Sequence, residues 1–280
     1  TSSLPITKLA EVLEHKERFI GVHFFNPVHQ MPLVEIIPGK ETSQETIQAT
    51  LQYMKELKKV PVLVGDCSGF LVNRILLPSL NEIGWLIEMG VSAQKIEEII
   101  LDFGMPMGPL RLCDEVGIDV ALKVAHVLEE AYGSRMQVPK VFSKLTKKGW
   151  IGKKVYKGFY NYLGGSPKLS KDFLKLFPEN KKPPIANHLI FDHFILTMIN
   201  EAAMCLEENI VVDAPTLDLA LIYGIGFPVF QGGLLKYADK RGITRIVEQL
   251  TELHLLWGER FKPARLLIKM AENNQNFYSN

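Results

Sequence analysis

The sequence predicts an α/β segment followed by two all-α domains that repeat one another. Short β-rich runs alternate with one helical pattern over residues 1–66, which is the order of elements in an α/β sheet. Beyond residue 66 the spacing of apolar residues is helical. Several landmarks of the first helical stretch recur in the same order in the second half of the chain, which predicts that the two domains are copies.

Three strands are expected in the α/β segment. The runs at 18–25 and 33–37 are β-rich and end at Asn-Pro and Pro-Gly turns, and 60–64 is a further apolar run. A helix should join the second and third strands, because Thr42 and Glu45 have the spacing of a capping box. Its expected buried face carries Ile47, Leu51, Met54 and Leu57.

Residues 67–162 are expected to form the first helical domain. Ser68 is a candidate N-cap for a long apolar helix over 69–89. Further helices are predicted near 93–102, 118–131 and 139–147. Residues 163–185 carry Gly, Pro and Lys without sustained periodicity, which predicts a linker with one short helix.

Residues 186–280 are expected to form the second helical domain, a copy of the first. The offset between matched positions grows from 119 residues (200 − 81) to 125 (239 − 114), as a duplication with small insertions would produce. The matched positions are Asn81 and Asn200, Gly104 and Gly226, Asp114 and Asp239, and Gly117 and Gly242.

Composition removes several classes of function. The 32 basic and 31 acidic residues give a net charge of +1, which offers no clustered basic face for nucleic acid. Cys67, Cys113 and Cys205 are far apart and show no CxxC spacing, so neither a disulfide framework nor a zinc site is expected and a reducing compartment is favoured. The sequence shows no membrane-length apolar run and no signal peptide. The absence of an initial Met indicates a chain that begins mid-protein.

His23 and Glu35 are the candidate catalytic pair. His23 closes the first predicted strand and Glu35 lies in the second, so a hairpin-like return would place the carboxylate beside the imidazole. The carboxylate would then fix the ring tautomer, which is the arrangement of a general base. The alternative is that His23 is a satisfied core residue and Glu35 a surface charge, and the residues alone leave both open.

Other polar positions give weaker signals. Asn73 lies in the first turns of an apolar helix, where its amide either bonds neighbouring backbone or contacts a ligand. The aromatic run GFYNY at 158–162 is interpreted as a turn that packs on the first helical domain. No G-x-G-x-x-G follows a strand and no P-loop is present, so the residues predict no pyrophosphate cradle. No metal site is expected, since His188 and His193 are spaced i, i+5.

Taken in order, the motifs resemble those of the 3-hydroxyacyl-CoA dehydrogenase family. The second helical block, with GFP at 226–228 and YAD at 237–239, resembles the repeated domain of the family's multifunctional α-subunits. The resemblance implies that residues 1–66 are the C-terminal portion of a Rossmann-type NAD-binding domain. The matching elements are TSSL at 1–4, GVHFFNP at 21–27, LVE at 33–35, SGFLVNR at 68–74, GMPMGP at 104–109 and KGFYNY at 157–162.

The resemblance implies a reaction and roles for named residues. The reaction is the NAD-dependent oxidation of (S)-3-hydroxyacyl-CoA to 3-oxoacyl-CoA in fatty-acid β-oxidation. His23 would accept the hydroxyl proton and Glu35 would orient its ring. The other implied contacts are Ser2 and Asn26 with NAD, and Asn73 and Tyr237 with the acyl-CoA substrate.

The resemblance also implies a larger assembly. The full-length protein would carry an enoyl-CoA hydratase (lyase) region and would bind a thiolase β-subunit in a fatty-acid oxidation complex. Because the glycine loop is missing from these residues, we expect the chain alone to be inactive and to bind NAD weakly, and its open sheet edge to favour self-association. The expected compartment is the bacterial cytoplasm, with the mitochondrion and peroxisome as alternatives.

Two other functions stay open on the sequence. Duplicated helical domains without a nucleotide loop could form a non-catalytic acyl-CoA-binding or assembly module. A dehydrogenase acting on hydroxy acids or sugar acids could share the architecture, because a fold does not fix its function. The run HFFNP at 23–27 argues against the hydroxy-acid or sugar-acid dehydrogenase.

Overall fold

The computed structural model describes residues 1–180 and 185–278 and divides into two compact units. The first unit comprises Thr1–Ile75 and Ile199–Asn280, and the second comprises Leu76–Met198. The divisions fall within two long helices, α3 (Val72–Glu88) and α9 (Asn187–Glu207). The domain boundaries expected after residues 66, 162 and 185 remain predictions, and residues 181–184 of the expected linker lie outside the described part of the chain.

The first unit contains the three expected strands in one sheet. These are β1 (Ile20–Phe24), β2 (Leu33–Pro38) and β3 (Val60–Leu63), in the order β1-β2-β3. β1 is antiparallel to β2, and β2 is parallel to β3. Every residue of β2 from Leu33 to Ile37 is buried, because this central strand is covered on both faces.

The helix α2 (Gln44–Glu56) joins β2 to β3, but the expected capping box is wrong. Ser43 is the N-cap, since its hydroxyl accepts from the backbone N–H of Thr46 at 3.1 Å. The hydroxyl of Thr42 is engaged away from the helix, since it donates to the carbonyl of Phe19 at 2.6 Å and accepts from the N–H of Gly39 at 2.8 Å.

The apolar face expected for α2 is only partly confirmed. Ile47 and Met54 are buried, and Leu51 packs against the core cluster. Leu57 is 46% exposed, because it lies after the last helical residue and the helical periodicity no longer applies there.

The long helix after β3 begins later than the sequence indicates. α3 starts at Val72, so Ser68 does not occupy the position directly before it. Gly69 and Phe70 instead adopt left-handed backbone conformations, with φ of +78° and +54°. The chain therefore makes a tight turn before the helix, and this turn shapes the candidate site.

The second unit is built of short helices. The helices expected near 93–102, 118–131 and 139–147 are confirmed. The helix at 109–116 was not expected, although Pro109 at its first position is a start signal. The elements are α4 (Ala93–Asp102), α5 (Pro109–Val116), α6 (Ile118–Tyr132), α7 (Lys140–Lys147), β4 (Tyr160–Asn161), β5 (Lys168–Leu169) and α8 (Lys171–Leu176).

Two buried carboxylates organise the second unit. Asp114 accepts from the backbone N–H groups of Phe159 and Tyr160 at 3.0 and 2.8 Å. Glu97 accepts from the N–H of Leu110, at the start of α5, and from the hydroxyl of Tyr160 at 2.6 and 2.7 Å. The aromatic run at 158–162 is thus tied to the helices of this unit. Burial raises the pKa of Glu97, and it raises the pKa of Asp114 to about 6.

The first unit contains a similar pair of carboxylates. Asp239 accepts from the N–H groups of Phe277 and Tyr278 at 2.8 and 3.0 Å. Asp218 accepts from the N–H of Leu235 at 2.8 Å and from the hydroxyl of Tyr278 at 2.7 Å. Besides α2, the helices that lie wholly within the first unit are α1 (Ile6–Ala10), α10 (Ala214–Ile225), α11 (Leu234–Arg241), α12 (Ile243–Trp257) and α13 (Arg265–Glu272).

One helix in the described residues has the length and composition of a membrane span. It is α9, and 78% of its most apolar 18-residue window is buried inside the protein. Polar side chains lie buried along it, among them Asp192, His193 and Glu201. A mostly buried helix of this kind is typical of a protein core.

We predict that Asp114 makes stability depend on pH. Because its carboxyl titrates near 3.8 in its ordinary state and at about 6 when folded, the folded state binds more protons between these values. The free energy of unfolding should therefore fall as pH rises from about 4 to about 6, by at most about 3 kcal/mol from this group. Urea unfolding of the wild type and of Asp114→Asn across this range measures the effect.

The matched control for this prediction is Asp172→Asn. The hydrogen bond from Lys157 lowers the pKa of Asp172, so this variant should keep the decline in stability between pH 4 and 6. If Asp114→Asn declines as steeply as the wild type, the prediction is wrong.

Candidate functional site

The centre of the site is an imidazole paired with a buried carboxylate. His23 lies on β1 directly opposite Glu35 on β2, and residues in that relation project from the same face of an antiparallel pair. Nδ1 of His23 lies 2.5 Å from Oε2 of Glu35. The His23 and Glu35 residues are 6% and 0% exposed. The pairing inferred from the sequence is therefore present, and the alternative that Glu35 is a surface charge is wrong.

The second oxygen of Glu35 is held by the start of α3. Oε1 accepts from the backbone N–H groups of Leu71 and Val72 at 3.0 and 2.9 Å. The first N–H groups of a helix lack partners inside the helix and carry partial positive charge, so they suit an anion. Glu35 is thus fixed by three donors in two directions and cannot rotate away from the ring.

This anchoring determines which ring nitrogen is free. A carboxylate only accepts hydrogen bonds, so Nδ1 of His23 carries the proton that points at Glu35. Nε2 is then left with its lone pair and can accept a proton from another group. The arrangement can therefore act as a general base.

Two aromatic rings lie against the imidazole. The ring centroid of Phe25 is 4.6 Å from that of His23, and that of Phe70 is 5.5 Å away. Phe70 is fully buried. Apolar neighbours restrict the access of water to the hydrogen-bonded pair and limit the orientations that the ring can take.

The structure brings Ser2 and Asn73 together. The amide Nδ2 of Asn73 donates to the backbone carbonyl of Ser2 at 2.9 Å, and the carbonyl of Ser3 accepts from the N–H of Gly69 at 3.0 Å. The N-terminal loop is thus tied to the turn before α3. Of the two roles that the sequence left open for Asn73, its amide nitrogen takes the structural one, and its amide oxygen remains for a ligand.

The sequence also assigned Asn26 and Tyr237 to the site. Asn26 is exposed, follows β1 and joins Pro27 through a cis peptide bond. Tyr237 is half-buried on α11 in the same unit, and its hydroxyl lies 3.5 Å from the guanidinium of Arg241. Neither side chain is among the hydrogen-bond partners of Glu35, which are His23 and the N–H groups of Leu71 and Val72. Their assignment to NAD and to the acyl-CoA substrate stays a prediction.

Sequence reasoning missed two residues that shape the site. Asp66 follows β3, and its carboxylate accepts from the N–H groups of Ile6 and Thr7 at 2.6 and 2.7 Å. It therefore holds the N-terminus of α1. Phe70 supplies the ring against the imidazole, and only its place between Gly69 and an apolar helix could have drawn attention to it.

The described residues contain no group of side chains that could bind a metal ion. Over residues 1–180 and 185–278, no group of three or more His, Cys, Asp or Glu side chains is placed to hold an ion. The three cysteines are free thiols, and Cys113 and Cys205 are buried. Burial raises the pKa of both buried thiols.

Two models of one protein family match successive parts of the chain. Residues 1–67 match the model described as 3-hydroxyacyl-CoA dehydrogenase, NAD binding domain. Residues 69–162 match the model described as 3-hydroxyacyl-CoA dehydrogenase, C-terminal domain. These matches account for more than half of the 280 residues.

Among curated proteins, the chain is similar to the fatty acid oxidation complex subunit alpha of Idiomarina loihiensis. The two are 44% identical over 281 residues, which cover 99% of this chain and 40% of that protein. The chain spans about 40% of the length of the curated relatives it matches.

Two solved structures resemble the chain. A 3-hydroxybutyryl-CoA dehydrogenase from Escherichia coli has a TM-score of 0.84 and 24% identity, covering 98% of this chain and 74% of that one, and this likeness bears on the fold alone. The dehydrogenase part of multifunctional enzyme 1 from C. elegans has a TM-score of 0.67 and 27% identity, covering 96% and 63%.

We predict that Glu35→Gln inverts the tautomer of His23. The glutamine oxygen can still accept from the N–H groups of α3, but its NH₂ must then donate to Nδ1, so the ring proton moves to Nε2. Nitrogen-15 NMR of histidine-labelled protein distinguishes the two tautomers, and His23→Gln assigns the signal.

Glu129→Gln is the control, because Glu129 pairs with the exposed His126 at 3.2 Å. It should leave the signal of His23 unchanged. Retention of the proton on Nδ1 in Glu35→Gln would show that the carboxylate does not set the tautomer.

Proposed function

The chain belongs to the 3-hydroxyacyl-CoA dehydrogenase family, and on that premise we propose that it carries the proton acceptor for oxidation of (S)-3-hydroxyacyl-CoA to 3-oxoacyl-CoA. One observation carries the proposal: Nδ1 of His23 is held by Glu35, a fully buried carboxylate that is itself bound by the start of α3. This leaves Nε2 of His23 as a fixed acceptor.

The chemistry assigned to the chain is the removal of one proton. Nε2 of His23 accepts the proton of the 3-hydroxyl group, and the electrons of the O–H bond form the C=O bond as C3 loses hydride. Glu35 stabilises the imidazolium that results, through the bond to Nδ1. When bound, NAD supplies the acceptor for the hydride. The products are the 3-oxo thioester, NADH and a proton on His23.

Four further residues are proposed to position the reactants. Ser2 and Asn26 are exposed polar residues, one in the loop tied to Asn73 and the other just beyond β1, and we assign both to NAD. We assign Asn73, through its free amide oxygen, and Tyr237 to the acyl-CoA substrate. Support comes from their place in the same compact unit as His23 and from the family motifs at these positions.

The two all-α domains are proposed to be copies. Asp114 and Asp239 each accept from two consecutive N–H groups of a Phe-Tyr pair. Asn81 and Asn200 each donate through Nδ2 to the backbone carbonyl of a residue at the end of a short 3-10 helix, Met136 and Lys262 respectively. Equivalent side chains thus make equivalent bonds in both halves, which supports duplication.

The chain is proposed to act within a longer protein. We propose an enoyl-CoA hydratase region elsewhere in that protein and a thiolase β-subunit as its partner in a fatty-acid oxidation complex. The relatives' name, fatty acid oxidation complex subunit alpha, and the 40% of their length that the chain spans support a longer protein within such a complex, while the hydratase region and the thiolase partner rest on the family resemblance. β1 is an edge strand of the described sheet, and unpaired edges favour self-association. The free cysteines support a reducing compartment, and we propose the bacterial cytoplasm ahead of the mitochondrion and the peroxisome.

We predict that His23→Gln lowers kcat by about 10² to 10⁴-fold in the complete gene product, because the proton acceptor is lost. The KM for NAD should change little, since the imidazole removes a proton and does not hold the dinucleotide. Initial rates of NADH formation from (S)-3-hydroxybutyryl-CoA measure both constants. His126→Gln, on an exposed helix face, is the control and should keep the wild-type rate.

We also predict that the 280 residues alone turn over negligibly, because no glycine-rich phosphate loop lies among them. The same assay should detect activity only when the chain is joined to the rest of its gene product. Native rates from the chain alone would contradict this prediction without affecting the assignment of His23.

A further inference from the structure

The backbone of Phe70 is in a conformation that bulky residues avoid. Its φ is +54°, which places it in the left-handed region that glycine adopts readily and other residues do not. Gly69, the preceding residue, has φ of +78°. A large aromatic side chain at such a position persists only when the surrounding structure holds it there.

This left-handed turn creates the donor pair that binds Glu35. The chain passes from the left-handed Phe70 into the right-handed helix, and successive N–H groups at such a transition converge on one point and form an anion site. The N–H groups of Leu71 and Val72 here converge on Oε1 of Glu35 at 3.0 and 2.9 Å. An ordinary right-handed residue at position 70 would aim them elsewhere.

The side chain of the same residue lies against the other half of the pair. The Phe70 ring is fully buried, and its centroid is 5.5 Å from that of His23 at an interplanar angle of 54°. Glycine would suit the backbone better, but it could not fill this position. The residue thus contacts the imidazole with its ring and orients the carboxylate through its backbone.

Local bonds hold the turn in place. The thiol of Cys67 lies 3.2 Å from the carbonyl of Phe70, and the N–H of Phe70 donates to the carbonyl of Cys67 at 3.2 Å. The N–H of Gly69 donates to Ser3, and the N–H of Arg74 donates to Gly69 at 3.1 Å. The conformation of Phe70 is therefore part of a closed set of hydrogen bonds.

We propose that Phe70 is a positioning residue that aligns both members of the proton-accepting pair, His23 and Glu35. The inference rests on the proposed function for its catalytic consequence, while its geometric part stands on the structure. Phe70 touches neither substrate nor cofactor in this proposal. It acts by keeping the imidazole oriented and shielded while the turn keeps the carboxylate bound.

The test separates the ring from the backbone. Phe70→Gly keeps a backbone that accepts φ of +54° and removes the ring, whereas Phe70→Ala removes the ring and retains the backbone strain. Phe70→Leu restores an apolar side chain. Tyr156→Gly is the control, because Tyr156 is also a left-handed aromatic residue, with φ of +58°, but is 59% exposed.

The first measurement is made on the 280-residue chain without substrate. Solvent exchange of the His23 ring proton, followed by nitrogen-15 NMR, should be at least about tenfold faster in Phe70→Gly, since buried surroundings protect such protons from exchange. Phe70→Leu should recover much of the protection, and Tyr156→Gly should match the wild type. Phe70→Ala should unfold at lower urea concentration than Phe70→Gly.

The second measurement is turnover of the complete gene product. Phe70→Gly should lower kcat at least about tenfold, with KM for both substrates within about twofold, because small misplacement of a reacting group slows the chemical step. Unchanged exchange of the ring proton in both Phe70→Gly and Phe70→Leu would overturn the proposal, whatever the turnover. Faster exchange with undiminished kcat would overturn its catalytic part.

Failure of the proposed function gives a different result. If the wild-type complete protein does not oxidise 3-hydroxyacyl-CoA while Phe70→Gly still loosens the imidazole, the reaction assigned to the chain is wrong and the geometric role of Phe70 stands.

Discussion

The binding of Glu35 by the first turn of α3 is the constraint on which the candidate site depends. A fully buried carboxylate is costly unless each oxygen has a partner, and here Oε1 takes two backbone N–H groups while Oε2 takes the ring of His23. The sheet supplies the carboxylate and the helix supplies the donors. Neither element could shift without leaving a buried charge unpaired, so the helix start, the strand register and the imidazole orientation are determined together.

The same constraint explains why the site is polar in a largely apolar setting. Five consecutive residues of β2, Leu33–Ile37, are buried. Glu35 is the ionisable one, and the other four are apolar. An apolar residue there would pack as well as its neighbours. The carboxylate is better explained by its effect on His23 than by stability, since a buried ion pair is weak evidence of stabilisation.

The sequence was sufficient for the strands, for most of the helices and for the pairing of His23 with Glu35. Strand alternation places residues on defined faces, and two β-rich runs separated by a turn restrict the ways in which they can pair. The expected cap at Thr42 was wrong for a tertiary reason. Thr42 and Ser43 are both good caps by residue type, and the bonds of the Thr42 hydroxyl to Phe19 and Gly39 direct it away from the helix start.

The turn at Phe70 could not be predicted from local sequence. A left-handed phenylalanine is unfavourable by itself and exists here because of contacts with the N-terminal loop and the buried carboxylate. The helix at 109–116 was missed because it begins at the Gly108-Pro109 pair, and such a pair indicates a turn in the sequence. The bond from Tyr278 to Asp218 joins residues 60 positions apart, beyond the reach of any local pattern.

That last bond changes how the Asn-rich C-terminal stretch should be regarded. Phe277 and Tyr278 donate two N–H groups and a hydroxyl to Asp239 and Asp218, and Asp218 is 2% exposed. Trimming the chain after α13, as the composition of this stretch would invite, removes all three donors at once. The buried Asp218 then keeps only its backbone donors from Leu235 and Lys236, and the loss of the Tyr278 hydroxyl costs about 1–3 kcal/mol. Affinity tags and truncation points therefore belong beyond Tyr278.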